Sequence, residues 1–283
     1  MESPVSILVP VDFSNHSLTA YEFALGMSEA MDASVKLVHV VTGDSKPQNL
    51  YPITSSTQAS QAKLEQSLKE FAEKPKAIGQ EGSTKTKIKM EVVPGLTVAG
   101  ELTEMSKEFD LVVVGARGEN MISKKLFGNI PTLLSQRAHC PVMVIPNQAE
   151  FFVPKKILYA SNWESADDDF IRQMVSIASF FRSQVNFVHI SQDYGVDNFE
   201  AVKEEIFETL EEYSDLEFSY LILDAHADSP MEGIQQFAEE NQMDWIVLVN
   251  RQRGLFNNIL GLSMSKELSL KPGRPLLIFQ DDD

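Results

Sequence analysis

A stretch that begins at Pro4, PVSILVPVDFSNHSLTAYEFALGMSEAMDASVKLVHVV, returns 150 residues later at Pro154 as PKKILYASNWESADDDFIRQMVSIASFFRSQVNFVHIS, with no gap. Ile7-Leu8 falls on Ile157-Leu158, and Val38-His39-Val40 falls on Val188-His189-Ile190. Each copy reads as strand, turn, amphipathic helix, strand. The first strand is a short apolar run, the pattern of a strand covered on both faces. Ser14 is a suitable N-cap for the helix that follows, and Ser161 or Asn162 offers the same chemistry in the second copy.

The alternation continues through both halves. In the first, the pattern predicts helices near Gln58–Glu73 and Val98–Lys107, strands near Ile88–Val93 and Leu111–Val114, a helix after Gly128 and a last strand at Val142–Ile145. In the second, strands fall near Leu216–Leu223, Trp245–Val249 and Leu276–Phe279, with helices near Asn198–Tyr213, Met231–Asn241 and Asn258–Leu268. Strands alternating with helices imply right-handed crossovers and a parallel sheet. The fold class expected is therefore α/β: two tandem doubly wound, Rossmann-like domains, each a five-stranded parallel sheet flanked by helices. They span residues 1–147 and 153–283, with a short linker around Asn147–Val153. Thr42–Ser60 is polar and holds Pro47 and Pro52, while Pro75–Thr86 is rich in Lys and Gly. Both read as exposed loops.

Composition narrows the function. The formal net charge is −17. An acidic chain is a poor binder of nucleic acid, which needs basic contacts to phosphate, and a poor fit to an anionic membrane surface. The expectation is thus no nucleic acid and no membrane partner. No run of eighteen apolar residues is present, and the opening MESPVSILVPVDFS lacks the basic and apolar regions of a signal peptide. Cys140 is the only cysteine, so no internal disulfide can form, which fits a cytoplasmic protein. An anionic ligand would need a local site, and helix N-termini and backbone N–H groups make such sites.

The segment VVVGARGENMISKKLFGNIPTLLSQRAHCPVMVIP, from Val112, has the parts of one. A buried strand ends at Val114, and Gly115, Ala116, Arg117 and Gly118 follow. Gly128 and Asn129 then stand where the next helix begins. Gly115 and Gly118 let the backbone turn and come close to a ligand. The N–H groups of Gly128, Asn129 and Ile130 can hold a phosphate with help from the helix dipole. The loop lies at the carboxyl end of a strand, where open α/β sheets take ligands. The spacing fits neither a Walker A loop nor the dinucleotide fingerprint, and a glycine pair after a strand is commonly only a turn. A second strand-end loop, Pro10-Val11-Asp12-Phe13-Ser14, lies on the same sheet edge. Asp12 there can accept from an adenine amino group or a ribose hydroxyl, or it can simply support the start of the helix after Ser14.

These segments together resemble the universal stress protein family over nearly all of Ser3–Pro146. The resemblance rests on a hydrophobic strand followed by V-D-x-S, on the glycine pattern G-x2-G-x9-G, and on the strand Cys140-Pro141-Val142-Met143-Val144-Ile145. The second half follows the same outline more weakly, so the whole resembles a tandem two-domain member. The resemblance implies a stress-response protein that binds ATP, ADP or AMP, with magnesium as an optional companion. Pro10, Val11 and Asp12 would lie along base and ribose, and Val40 would offer its backbone to adenine. Gly115, Arg117, Gly118, Gly128, Asn129 and Ile130 would surround ribose and phosphates. Asn129 departs from the Ser or Thr usual after the last glycine, but it keeps an amide N–H and a side-chain donor. Lys124 and Lys125 can offset triphosphate charge, or are simply solvated loop lysines, which is the favoured reading.

The second copy has changed at the same places. Ala160-Ser161-Asn162 replaces Pro10-Val11-Asp12, and the loop VNRQRGLFNNILGLS from Val249 puts Val249 at Gly115 and Gln252 at Gly118. Gly261 alone resembles a kept loop glycine, and Leu262 follows it. This copy is expected not to take ATP in the family's manner, although Arg251 and Arg253 can attract another anion. No catalytic constellation stands out: His16, His39, His139, His189 and His226 are scattered, and neither H-x-x-x-H nor C-x-x-C occurs. A regulatory nucleotide binder is the favoured expectation. A slow ATPase with the same site, or a scaffold of paired domains that binds none, are the alternatives. Family members pair through the last strand, so the apolar strands Val142–Ile145 and Leu276–Phe279 are expected to meet in an intramolecular pseudo-dimer, with a further homodimer left open.

Overall fold

The computed structural model describes residues 5–42, 56–77, 86–116, 129–160, 168–191, 199–226, 230–250 and 274–280. The chain divides into two compact units, Met1–Phe151 and Phe152–Asp283.

The first unit runs β1 (Ser6–Pro10), α1 (Asn15–Met31), β2 (Ser34–Thr42), α2 (Ser56–Ala77), β3 (Ile88–Gly95), α3 (Val98–Met105), a 3-10 turn (Ser106–Glu108), β4 (Leu111–Gly115), α4 (Asn129–Arg137) and β5 (Val142–Ile145). Its sheet is parallel throughout, in the order β3-β2-β1-β4-β5. β1 lies at the centre, and its residues Ile7, Leu8 and Val9 are wholly buried. That explains why its sequence is apolar at consecutive positions rather than alternating. The order reverses direction between β1 and β4, so the crevice of a doubly wound sheet falls at the carboxyl ends of those two strands.

α1 starts where the sequence puts it. Ser14 is extended (φ −73, ψ 165), and its Oγ accepts from the Ser17 N–H at 3.2 Å. Tyr21 and Phe23, two residues apart and so on different sides of the helix, are both buried. The Tyr21 hydroxyl donates to the Ala72 carbonyl at 3.2 Å, and burial pushes its phenol up to about 12. On another side of α1 the linker residue Phe151 packs against Gly26 and stands edge-on to Phe23, with ring centroids 5.3 Å apart.

Two loop expectations need correction. The polar stretch assigned to a loop through Ser60 becomes helix at Ser56, and α2 continues past Pro75 to Ala77. Leu68, Phe71, Ala72 and Pro75 are buried along it. The apolar face of this helix therefore decides its extent, and the local polarity of its first turn does not. Pro75 withholds an N–H only near the helix end, where few residues follow it.

The second unit runs β6 (Lys156–Ala160), α5 (Asp168–Phe181), β7 (Gln184–Ser191), α6 (Phe199–Glu211), β8 (Ser219–His226), α7 (Pro230–Glu240), β9 (Trp245–Asn250) and β10 (Leu276–Gln280). It too is a parallel sheet, in the order β10-β9-β6-β7-β8. β8 begins three residues later than expected from Leu216. The chain after α6 keeps turning there, with Leu216 N–H on the Tyr213 carbonyl and Leu216 itself exposed. The helix expected at Asn258–Leu268 lies outside the described residues.

Strand register ties the two units together as copies. Ile7 stands opposite Leu111 in the first and Ile157 opposite Trp245 in the second. Gly115 stands opposite Ile145, and Val249 opposite Phe279. Gly115 and Val249 thus hold the same place in their sheets.

Candidate functional site

The carboxyl edge of the first sheet brings two loops together. β1 ends at Pro10, and the chain turns through Val11, Asp12 and Phe13 before Ser14 caps α1. Val11 is buried, Asp12 is exposed, and Pro10 and Phe13 are half-buried. The Val11 N–H donates to the Val38 carbonyl at 2.8 Å. Asp12 Oδ1 accepts from the Ser14 N–H at 3.0 Å, so one carboxylate oxygen braces the turn into α1. Asp12 thus supports the helix start, and it does so from an exposed position after β1.

Phe13 has φ 66, a left-handed backbone that a bulky side chain seldom adopts. Its ring lies 4.6 Å from the His39 ring and 5.9 Å, edge-on, from Phe71 of α2. His39 Nδ1 lies 2.8 Å from the Val11 carbonyl. Nothing in the sequence pattern around Phe13 announces this conformation. The His39 position was visible only as a residue that the repeat keeps.

Val40 lies two residues before the end of β2 and is 8% exposed. Its backbone has a direction that the ladder fixes. The Val38 carbonyl faces β1, because it accepts from Val11. Residues two apart in a strand direct their N–H and C=O the same way. The N–H and C=O of Val40 therefore face the β1 side, beyond the point at which β1 ends.

Gly115 closes β4 and is buried, and Ala116 N–H bonds the Ile145 carbonyl at 2.8 Å. A Cβ on Gly115 would lie 2.5 Å from the His16 carbonyl oxygen and 3.1 Å from the His16 Cβ. The space left by the missing side chain is thus filled by the first turn of α1. This glycine has a packing requirement of its own, in addition to any ligand. α4 begins at Asn129, so the N–H groups of Asn129 and Ile130 fall in its first turn, while Pro131 has none. Arg117, Gly118 and Gly128 lie outside the described residues, as do Lys124, Lys125 and the side chain of Asn129.

In the second unit Val249, at the register position of Gly115, is 1% exposed. Ala160 is buried at the end of β6. Ser161, Asn162, Arg251, Gln252, Arg253, Gly261 and Leu262 lie outside the described residues. Elsewhere, burial first, and the Asp110 charge next, push the Cys140 thiol up to about 12, the mark of an inert buried cysteine. Among the described residues no three His, Cys, Asp or Glu side chains converge as a metal site would require. No helix among them is long and apolar enough to cross a membrane.

Comparison with known proteins gives a consistent result. The model of the universal stress protein family matches residues 6–146. A universal stress protein of Methanocaldococcus jannaschii is 30% identical over 141 residues, covering 49% of this chain and 80% of that protein. One from Mycobacterium tuberculosis is 24% identical over 298 residues, covering 99% of this chain and 97% of its own length. The crystal structure of a universal stress protein from Archaeoglobus fulgidus shares the fold over 98% of this chain and 97% of that one, at 18% identity and a TM-score of 0.70. That full-length likeness matches the tandem arrangement of the two sheets.

Proposed function

The chain belongs to the universal stress protein family, and from that premise we propose that its first unit binds an ATP-type nucleotide as a regulatory domain without dedicated chemistry. The observation that carries this reading is the backbone of Val40. It presents one N–H and one C=O, side by side, beyond the end of β1. That is the complement of an adenine edge, which offers one acceptor beside one donor. Pro10 and Val11 would flank the base, and the exposed Asp12 carboxylate adjoins the same crevice and suits a ribose hydroxyl. The first turn of α4 at Asn129 and Ile130 suits a phosphate. Gly115, Arg117, Gly118 and Gly128 complete the proposed set, with ATP, ADP or AMP as ligand and magnesium as companion to the phosphates.

The second unit is proposed not to bind in this way. Val249 brings a side chain to the register position where Gly115 has none, and Ala160 stands where Pro10 does. Its proposed role is that of a partner domain. β5 and β10 are each apolar and each at the edge of its own sheet, and the proposal pairs them in a pseudo-dimer within one chain. The proposed location is the cytoplasm, which a lone buried thiol suits.

A thermal-shift titration tests the central claim. Ligand held by the native state raises its stability by RT ln(1 + [L]/Kd), about 2.7 kcal/mol at a hundredfold excess over Kd. ATP should raise the midpoint, and Asp12→Ala should weaken the effect. No shift with ATP, ADP or AMP, with or without magnesium, would sink the proposal. A turnover assay on the same protein separates binding without chemistry from slow hydrolysis.

A further inference from the structure

In the ladder between β1 and β2, Pro10 stands opposite Val38, and the Val11 N–H donates to the Val38 carbonyl at 2.8 Å. The next rung of a parallel ladder would run from the Val40 N–H to the Val11 carbonyl. Among the described residues that rung is not made, and β1 ends at Pro10. The Val11 carbonyl is met by His39 Nδ1 at 2.8 Å. A carbonyl can only accept, so Nδ1 carries the proton and the imidazole donates. The ring is held in that pose by Phe13 at 4.6 Å, itself set at φ 66 and backed by Phe71.

We infer that His39 is a positioning residue for the nucleotide base: by drawing the Val11 carbonyl to Nδ1 and out of line with the ladder, it ends the pairing one rung early and leaves the Val40 N–H turned towards the ligand. The inference rests on the reading that the first unit binds an adenine nucleotide. Without the imidazole to draw it aside, the Val11 carbonyl would turn back into the ladder and accept from the Val40 N–H. The strand pair would then extend across the base position. An unmet buried carbonyl is costly, so the rung would close. The strained backbone of Phe13 fits this role, since the loop must leave the ladder abruptly for the gap to exist.

Two substitutions at one position test it. His39→Phe keeps a ring against Phe13 and removes the donor. His39→Asn puts an amide N–H donor in place of Nδ1. The first readout needs no ligand: amide hydrogen exchange at Val40. It should be fast in the native protein and in His39→Asn, and protected in His39→Phe. A Val40 amide protected in the native protein overturns the inference. The second readout is affinity for ATP. His39→Phe should weaken binding about tenfold, the effect of losing one hydrogen bond, with a thermal midpoint equal to or above that of the native protein. His39→Asn should restore most of it. A purely structural histidine would instead lower the midpoint in both variants. If the native protein binds ATP and His39→Phe binds it equally well, the positioning role fails while nucleotide binding stands. If the native protein binds no nucleotide, the binding proposal fails, and the exchange at Val40 still decides whether His39 ends the ladder.

Discussion

Asp110 Oδ2 accepts from both the backbone N–H and the hydroxyl of Ser6, each at 2.7 Å. The second unit builds the same latch from different atoms. Asp244 Oδ2 accepts from the Lys155 and Lys156 N–H groups at 2.7 and 2.9 Å. In both, the aspartate N–H returns a bond to the start of the central strand, on Ser6 and Lys156 carbonyls. The latch sets the register of β1 on β4 and of β6 on β9. Asp110→Ala and Asp244→Ala should each cost about 1 kcal/mol in urea unfolding, since each strips two donors at an exposed strand end. Ser6→Ala should cost less than Asp110→Ala, because the second unit manages with backbone donors alone. Equal losses for Ser6→Ala and Asp110→Ala would contradict this account.

Gly115 and Gly26 are both closely approached, but by different atoms. A Cβ on Gly115 meets the His16 carbonyl oxygen at 2.5 Å, whereas one on Gly26 meets Cδ1, Cβ and Cγ of Phe151 at 2.6, 2.7 and 2.8 Å. A helix turn cannot move alone. The Phe151 Cβ is not moved by ring rotation either, so the backbone at Phe151 must shift to admit a side chain at Gly26. Gly115→Ala should therefore destabilise by about 1–3 kcal/mol, the range for overpacking. Gly26→Ala should also destabilise, but by less, because alanine gains about 1 kcal/mol of helix propensity against the overpacking. Thermal unfolding of the two variants gives the comparison. A Gly26→Ala variant less stable than Gly115→Ala would reverse the assignment of which neighbour is the more rigid.

Much of this architecture was legible because it depends on period and punctuation. β5 falls at Val142–Ile145 as expected, and Ser14 caps α1 as its type predicts. The offset that aligns Gly115 with Val249 reappears in strand register. The misses have physical reasons. α2 opens on a polar turn and carries Pro75, both local signals of loop, and its buried side chains override them. At the candidate site, Asp12 and Val40 were legible as residue types at strand ends. The Phe13 backbone and the His39 bond to Val11 were not. Both arise from contacts among the loop after β1, the end of β2 and Phe71 of α2, which no local window contains. The filling of Gly115 by His16 was hidden for the same reason, since a glycine after a strand looks alike whether ligand or helix occupies its space.

Asp32 ends α1 in the left-handed region (φ 50, ψ 39), with its N–H on the Ser28 carbonyl. Glycine adopts that conformation without strain, and a carboxylate at a helix C-terminus opposes the helix dipole. Asp32→Gly should therefore raise stability by about 0.5–1 kcal/mol. Asp32 lies at the far end of α1 from Asp12, so nucleotide affinity should not change. A stability loss in chemical denaturation would show that the aspartate side chain contributes something this geometry omits.

Glu22 on α1 is a carboxyl whose charge the fold disfavours. Burial first, and the Glu150 charge second, hold its carboxyl above the usual carboxylate range. The sign follows from linkage. The folded state favours the protonated form, so its contribution to stability is fully present below the unfolded value, about 4.3. It is lost as pH rises through the raised folded value, and above that the deficit stays constant. Glu22→Gln removes the deficit. It should stabilise the protein at pH 7, by about 0.5 kcal/mol or less because Glu22 is only half-buried. The gain should vanish at pH 4. Glu150→Gln should give a smaller gain with the same pH dependence, since it relieves only the second cause. Urea midpoints of the three proteins at both pH values decide the matter. A Glu22→Gln variant that gains nothing at pH 7, or gains equally at pH 4, would show that the strain on this carboxyl is not electrostatic.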